Sequence, residues 1–152
     1  MPTVIIDTRE QAPLAFSLPT ETGTLTTGDY SIKGLERFVA VERKSPGDLV
    51  GCLKNGQRER FERELSRGRG LDYFALVVEC DLAGLAKGDY RSRMLPKAVV
   101  QSILAFSVRY RLPVFFCPGR DYAARVVESL LLKYVAELEK RSAAIQRRSR
   151  ND

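Results

Sequence analysis

Three side chains in this sequence are suited to hydrolytic chemistry: Asp29, and the Glu42 and Lys44 of the run Glu42-Arg43-Lys44. In an extended strand alternate residues share a face, so Glu42 and Lys44 project together while Val41 and Arg43 project the other way. A carboxylate and an amine are thereby held side by side. If the segment carrying Asp29 comes back alongside, Asp29 and Glu42 supply two hard oxygen ligands of the kind Mg²⁺ takes, with positions left for water and a phosphate. Such an ion polarises a phosphodiester and lowers the pKa of a bound water. Lys44 would then orient or help activate that water and offset charge developing on the phosphate. Taken alone, an Asp followed later by Glu-x-Lys also describes a charged strand end lying in solvent.

The elements that must position these residues are legible in outline. Val4-Ile5-Ile6 is an unbroken apolar run ending in Asp7, as expected of a strand covered on both faces. After a loop punctuated by Pro13, Pro19 and Gly23, residues Thr24 to Ile32 and Phe38 to Glu42 read as a hairpin around Gly34, and further strands are expected at Phe74 to Val78 and Val114 to Cys117. Ser45-Pro46-Gly47-Asp48 has the form of a helix start, with Ser45 capping, Pro46 at the first helical position and Asp48 able to return a bond; the helix should run through Leu53. A charged amphipathic segment from Arg58 to Arg67 follows, then helices from Lys97 to Tyr110 and from Tyr122 to about Lys140. Strands first, then strands alternating with helices, predict an α/β sandwich around a mixed central sheet.

Composition bounds the chemistry. The 152 residues carry 44% hydrophobic content, enough for one continuous core, and 25 Lys and Arg against 19 Asp and Glu give a net charge of +6, which fits a polyanionic partner. There is no histidine. Ser-His-Asp triads and His-containing zinc sites are therefore excluded, and hydrolysis here must use carboxylates, Lys or a metal. The three cysteines, Cys52, Cys80 and Cys117, are odd in number and far apart, which argues against a complete disulfide framework and for a reducing cytoplasm. No apolar run approaches the roughly 18 residues of a membrane span, so no membrane association is expected. Residues 141–152, rich in Arg with little to bury, are expected to be a basic tail, either a frayed helix end or disordered, after a single domain over 1–140.

Several segments, in order and at suitable spacing, resemble the XPF-type (ERCC4-domain) family of structure-specific DNA endonucleases. Ile5-Ile6-Asp7-Thr8-Arg9-Glu10 is similar to that family's opening strand with its Asp-x-Arg-Glu end. Gly28-Asp29-Tyr30 resembles its Gly-Asp-Tyr element, and Glu42-Arg43-Lys44 through Asp48 its Glu-Arg-Lys-x-x-x-Asp signature. Asn55-Gly56-Gln57-Arg58 with Phe61-Glu62, and Leu76-Val77-Val78-Glu79, resemble the following helix and strand. The resemblance implies a restriction-endonuclease-like α/β fold, with a mixed sheet flanked by helices. It implies a Mg²⁺-dependent nuclease, with Mn²⁺ able to substitute, cutting DNA at branches, flaps or single-strand/double-strand junctions in repair or recombination. By the same resemblance Asp29 and Glu42 are metal ligands, Asp7 is a further acidic group near the metal, Lys44 is the catalytic amine, and Arg43 and Asp48 complete the signature.

Each of these has a plainer structural role available. Asp48 could simply cap its helix, which stabilises by about 1 kcal/mol. Asp7 could merely end a strand, Glu79 could be structural, and Arg43, facing away from Lys44, could pair with Asp48 or Glu10 and shape the site indirectly. Arg9, Lys54, Arg58 and Arg60 could contact DNA phosphates, since those contacts need only positive charge at the right height. Much of the charge from Arg58 to Arg67 is equally explained by surface ion pairs with Glu59, Glu62 and Glu64.

Relatives of this type commonly carry a tandem helix-hairpin-helix domain after the nuclease domain. The sequence in hand has no such segment, so the basic tail or a partner protein is expected to help deliver DNA. The apolar stripes Val99, Val100, Ile103, Leu104, Phe106 and Val126, Val127, Leu130, Leu131, Tyr134, Leu138 should cover the sheet, with any surplus available for a homodimer contact. The reading from another class is a non-catalytic DNA-binding or scaffold module of the same fold. Partners of that kind lose the acidic residues that this sequence keeps.

Overall fold

The apolar run expected to be an inner strand is one: β1 (Val4–Asp7) lies between β2 (Thr20–Gly23), parallel to it, and β3 (Tyr30–Ile32), antiparallel to it. The computed structural model describes residues 1–151 and continues the sheet through β4 (Val39–Lys44), β5 (Tyr73–Val78) and β6 (Val114–Phe116), in the order β2-β1-β3-β4-β5-β6. β3 and β4 are antiparallel and joined through Gly34, whose φ of 87° suits only a residue without a side chain; β4, β5 and β6 are parallel. Their crossovers are α1 (Pro46–Cys52) with α2 (Arg58–Arg69), then α3 (Leu82–Ala86) with α4 (Pro96–Tyr110). The last helix, α5 (Arg120–Asn151), returns across the sheet.

Two cores follow from strand alternation. Ala40, Phe74, Leu76 and Val78 face α1, α2 and α4, packing on Leu49, Phe61, Leu65, Val99, Ile103 and Phe106. Val4, Tyr30, Val39, Val41 and Val77 face α5, packing on Ala123, Val127, Leu131 and Tyr134. The two C-terminal helices thus cover opposite faces of the sheet. Leu104, expected in the apolar stripe of α4, is 52% exposed, because its stripe is wider than the sheet it covers.

The sequence reading differs from the structure in several places, and the short helix α3 is one element that it did not expect. Only Tyr30–Ile32 of the expected Thr24–Ile32 strand is regular strand, extended by backbone bonds at Asp29; further back the N–H of Leu25 donates to the Asp7 carboxylate instead of to a neighbouring strand. Strand β2 was not expected: Thr20-Glu21-Thr22-Gly23 is an exposed polar edge with no apolar alternation to reveal it. Ser45 does cap α1, its Oγ accepting the Asp48 N–H at 3.1 Å, but the Asp48 carboxylate returns no hydrogen bond among the described residues. α5 runs on through Asn151, so residues 141–151 of the expected tail are exposed helix, with Arg141 paired to Asp72 at 2.8 Å; Asp152 lies outside the described residues.

The Phe74 ring fixes where α2 sits. A Cβ placed on Gly68 of α2 would meet three of its ring atoms at 2.1 to 2.5 Å, and one on Gly28 would meet it at 3.4 Å and the Ala40 Cβ at 2.8 Å. The aromatic ring therefore sets the approach of the helix, while at the turn before Asp29 it is the Ala40 Cβ that leaves no room for a side chain. Gly68→Ala is expected to destabilise the protein by about 1–3 kcal/mol through overpacking. In denaturant titrations Gly68→Ala combined with Phe74→Leu should cost less than the sum of the two single changes, and simple additivity would show that the ring does not seat the helix.

Candidate active site

Register brings the acidic residues into one row. Ile6 pairs with Tyr30 and Tyr30 with Val41, all three facing α5, so the next residues, Asp7, Asp29 and Glu42, face the opposite side, towards α2. The backbone agrees: the Asp7 N–H donates to the Asp29 carbonyl at 2.8 Å and the Asp29 N–H to the Val41 carbonyl at 2.9 Å. The Asp29 carboxylate is then pinned by the main chain of the neighbouring strand, its Oδ2 accepting the Arg43 N–H at 2.8 Å. Gly28, with φ of 84° and no room for a Cβ, is what lets the chain turn into this position.

Glu42 is 4% exposed, and one of its carboxylate oxygens, Oε2, is buried with no hydrogen-bond partner; the other lies 3.3 Å from Lys44 Nζ. Burial, then the nearby charges of Asp29 and Glu64, push the Glu42 carboxyl well above the usual carboxylate range. Burial likewise lifts Asp29, to about 6, against the opposing pull of the Arg43 N–H. Desolvation works against the Lys44 ammonium, but the Glu42 carboxylate outweighs it and holds the Lys44 pKa above its ordinary value. Lys44, 5.4 Å above the Phe61 ring, is a fixed cation and not a free base.

Asp7 is held differently. Burial would raise its pKa, but Arg9 and the Leu25 N–H outweigh this and keep it below the usual range. Its Oδ2 accepts from Arg9 Nε at 2.8 Å and its Oδ1 from Leu25 N–H at 2.9 Å. Both oxygens are thus engaged by the protein, unlike those of Glu42.

Asp7 and Asp29 open into a cleft of about 280 Å³ whose walls carry Arg9, Lys44, Arg60 and Arg67, while Glu42 is buried beside Lys44 and does not line it. Helix α2 forms one wall. Arg60, Glu64 and Arg67 fall at i, i+4 and i+7 and share a helix face, beside the buried stripe Phe61, Leu65 and Gly68. Glu64 and Arg67 were not picked out in the sequence. Their spacing was the available signal, but alternating charge on an amphipathic helix reads first as solvent-facing ion pairs.

On the reverse face of the sheet, Arg43 anchors β4. Its guanidinium donates to both oxygens of Glu10, at 2.7 and 3.1 Å, and to Glu79 at 2.8 Å, while Arg120 of α5 approaches Glu79 at 3.6 Å. Of the two partners expected for Arg43, Glu10 is therefore used and Asp48 is not.

Asp48 is exposed on α1 and does not line the cleft. Arg58 turns away to α4, donating to Ser102 Oγ at 3.0 Å and lying 4.9 Å above the Phe106 ring, and Lys54 is exposed in the loop before α2. Of the four basic residues considered for DNA, Arg9 and Arg60 line the cleft. Arg9 spends Nε on Asp7 and Nη2 on the Leu25 carbonyl yet remains 68% exposed.

The ERCC4 domain family model matches residues 6–130, which takes in the whole acidic row, Lys44 and the α2 wall. The chain belongs to the ERCC4 domain family. Solved structures agree on the fold: XPF from Aeropyrum pernix superposes with a TM-score of 0.70 at 22% identity, covering 88% of this chain and 61% of that one. XPF from Aeropyrum pernix in complex with DNA gives 0.70 at 21% identity, covering 90% and 66%. This ERCC4 domain therefore spans about three fifths to two thirds of the length of those chains, and its fold is the mixed, helix-flanked sheet of restriction-endonuclease-like nucleases. No match was found among curated proteins. Among the described residues no helix is long and apolar enough to cross a membrane, and all three cysteines are free.

The electrostatics of the ERCC4 domain site set its dependence on pH. A carboxyl whose folded pKa is raised contributes stability below its ordinary pKa and loses it as pH rises through the folded value. In EDTA the protein should thus lose stability between about pH 4 and 7 as Asp29 ionises beside Glu42. Asn at position 29 can still accept the Arg43 N–H, so Asp29→Asn is expected to be more stable than the wild type by about 1–3 kcal/mol at pH 8, a gap that narrows below about pH 6 and closes only below about pH 4. Melting curves with a gap independent of pH would show that the two carboxyls do not share an environment.

Proposed function

We propose that this ERCC4 domain is a metal-dependent DNA endonuclease, acting on branched, flap or junction DNA in repair or recombination. The observation that carries the reading is the pair Asp29 and Glu42, adjacent across two strands, with Lys44 beside Glu42 and both Asp29 and Lys44 opening into an Arg-walled cleft. A buried carboxylate oxygen without a donor is costly and is relieved by a cation, so the Glu42 Oε2 fits a metal ligand. No three carboxylate or thiol groups form a preformed cage among the described residues. Mg²⁺ keeps several waters and takes one or two carboxylates together with substrate phosphates, so the proposed site would need no more than Asp29 and Glu42 from the protein.

Asp29 and Glu42 would hold the ion, Asp29 in the orientation set by the Arg43 N–H. When bound, Mg²⁺ or Mn²⁺ supplies Lewis-acid polarisation of the phosphate and a more acidic water. Lys44, kept protonated by Glu42, orients the attacking water and offsets the charge that builds on the phosphate oxygens. Cleavage would leave 5′-phosphate and 3′-hydroxyl ends. Arg9, Arg60 and Arg67 place positive charge around the cleft, where backbone phosphates would enter. The similar XPF from Aeropyrum pernix has been seen in complex with DNA, which supports DNA as the substrate here. Leu104 and Val108, exposed one turn apart on α4, support self-association as an additional property.

Labelled single-strand, duplex, flap, fork and splayed-arm DNAs incubated with Mg²⁺ or Mn²⁺ should be cut, with flap and junction substrates preferred. Asp29→Asn and Lys44→Ala should each lower the rate by about 100-fold or more. Binding of these DNAs by the wild type without cleavage in either metal would replace the nuclease reading with that of a DNA-binding module.

A further inference from the structure

Charge is divided unevenly along α5. Residues 120–139 hold three basic and four acidic side chains, whereas residues 140–151 hold Lys140, Arg141, Arg147, Arg148 and Arg150 and no Asp or Glu. The first part covers the sheet through Ala123, Val127, Leu131 and Tyr134; every residue from Glu139 to Asn151 is exposed. A helix end that is merely solvated interleaves opposite charges at i, i+3 and i, i+4, yet here Arg147 and Arg150 repel at i, i+3. The helix dipole favours cations only in the last turn, and Lys140 and Arg141 find carboxylates in Glu137 and Asp72, which leaves the lack of any interleaved acid unexplained. At 3.6 residues per turn all five cations fall within about half of the circumference. Ser142, Gln146 and Ser149 occupy the other half, with Ile145 as its one large apolar residue, so this segment lacks the apolar face of a helix that lies on a membrane. A polyanion is the partner that such a surface fits.

The path of α5 sets where this surface stands. At its start Arg120 approaches Glu79, just past the end of β5, and further along Arg141 pairs with Asp72, just before β5 begins. α5 therefore runs antiparallel to β5, and the residues after Arg141 extend beyond the edge of the sheet. Lys44 is in register with Val78, so the acidic row and the basic segment lie at opposite ends of the molecule. A strand the length of β5 spans about 20 Å, and residues 141–151 add about 15 Å of helix. The sum is close to the roughly 34 Å of one turn of duplex DNA. We infer that residues 140–151 of α5 form a basic arm that holds the phosphate backbone of duplex DNA about one helical turn away from the cleft. The inference rests on DNA as the substrate in the reading above and adds a contact outside residues 6–130, the span of the family match. Standing too far from the cleft to touch the scissile phosphate, the arm contributes affinity and no chemistry.

Fluorescence anisotropy on a labelled flap DNA with double-stranded arms of about two turns, in EDTA so that no strand is cut, tests the arm apart from metal and cleavage. Arg147→Gln combined with Arg148→Gln keeps helix propensity and removes two charges. It should weaken binding about tenfold at about 0.1 M salt and lower the slope of log affinity against log salt by about 2. Arg125→Gln combined with Lys133→Gln removes the same charge from exposed positions in the mixed-charge part of the same helix, and should change affinity less than about twofold. Unchanged affinity and slope in the arm variant would overturn the proposal while leaving the cleft standing. An equal loss in the Arg125 and Lys133 variant would overturn it as a mere effect of net charge. A wild type that binds this DNA at no salt concentration would remove DNA as the substrate, and with it the reading on which the arm rests.

Discussion

A carboxylate buried beside another carboxylate is the constraint around which this molecule is arranged. Glu42 lies in the sheet interior with one oxygen unpartnered and Asp29 on the adjoining strand. Left alone such a pair would take up a proton or push its strands apart. Three devices hold it: the Lys44 ammonium at 3.3 Å, the Arg43 N–H on the Asp29 oxygen, and the Arg43 side chain locked between Glu10 and Glu79 on the reverse face. One residue thus serves the site twice, by its main chain on one side of the sheet and by its side chain on the other.

The remainder of the fold can be read as support for that row. β1, β3 and β4 set the three carboxylates at one level, and the parallel crossovers place α2 over them. Phe74 joins the two systems, touching the turn at Gly28 that aims Asp29 and the helix at Gly68 that carries the basic wall. Because cores are close-packed and resist small displacements, strain at one end of this contact is felt at the other. Stability and the electrostatics of the row are coupled here: the features that fix the carboxylates also hold unfavourable charge together.

What could be read directly was whatever depends on local alternation and on short motifs. Glu42 and Lys44 had to share a face, with Arg43 opposite, because a strand has period two; Ser45 had to start a helix before Pro46. The cluster of Asp7, Gly28-Asp29-Tyr30 and Glu42-Arg43-Lys44 was enough to indicate the family. The expectation that Thr24 onward is strand did not hold, because a side chain, Asp7, took the backbone N–H that pairing would have used.

Sequence by itself determined which residues are suited to hydrolytic chemistry and on which side of their own strand they lie. Only the tertiary structure decided that Asp29 stands next to Glu42, that Arg43 chooses Glu10 over Asp48, that Arg58 turns to α4, and that Glu64 and Arg67 face the cleft. The physical reason is range. Periodicity fixes direction within an element, while neighbours across elements are set by strand register and by the depth at which a helix can pack, here the depth that a glycine allows against one aromatic ring.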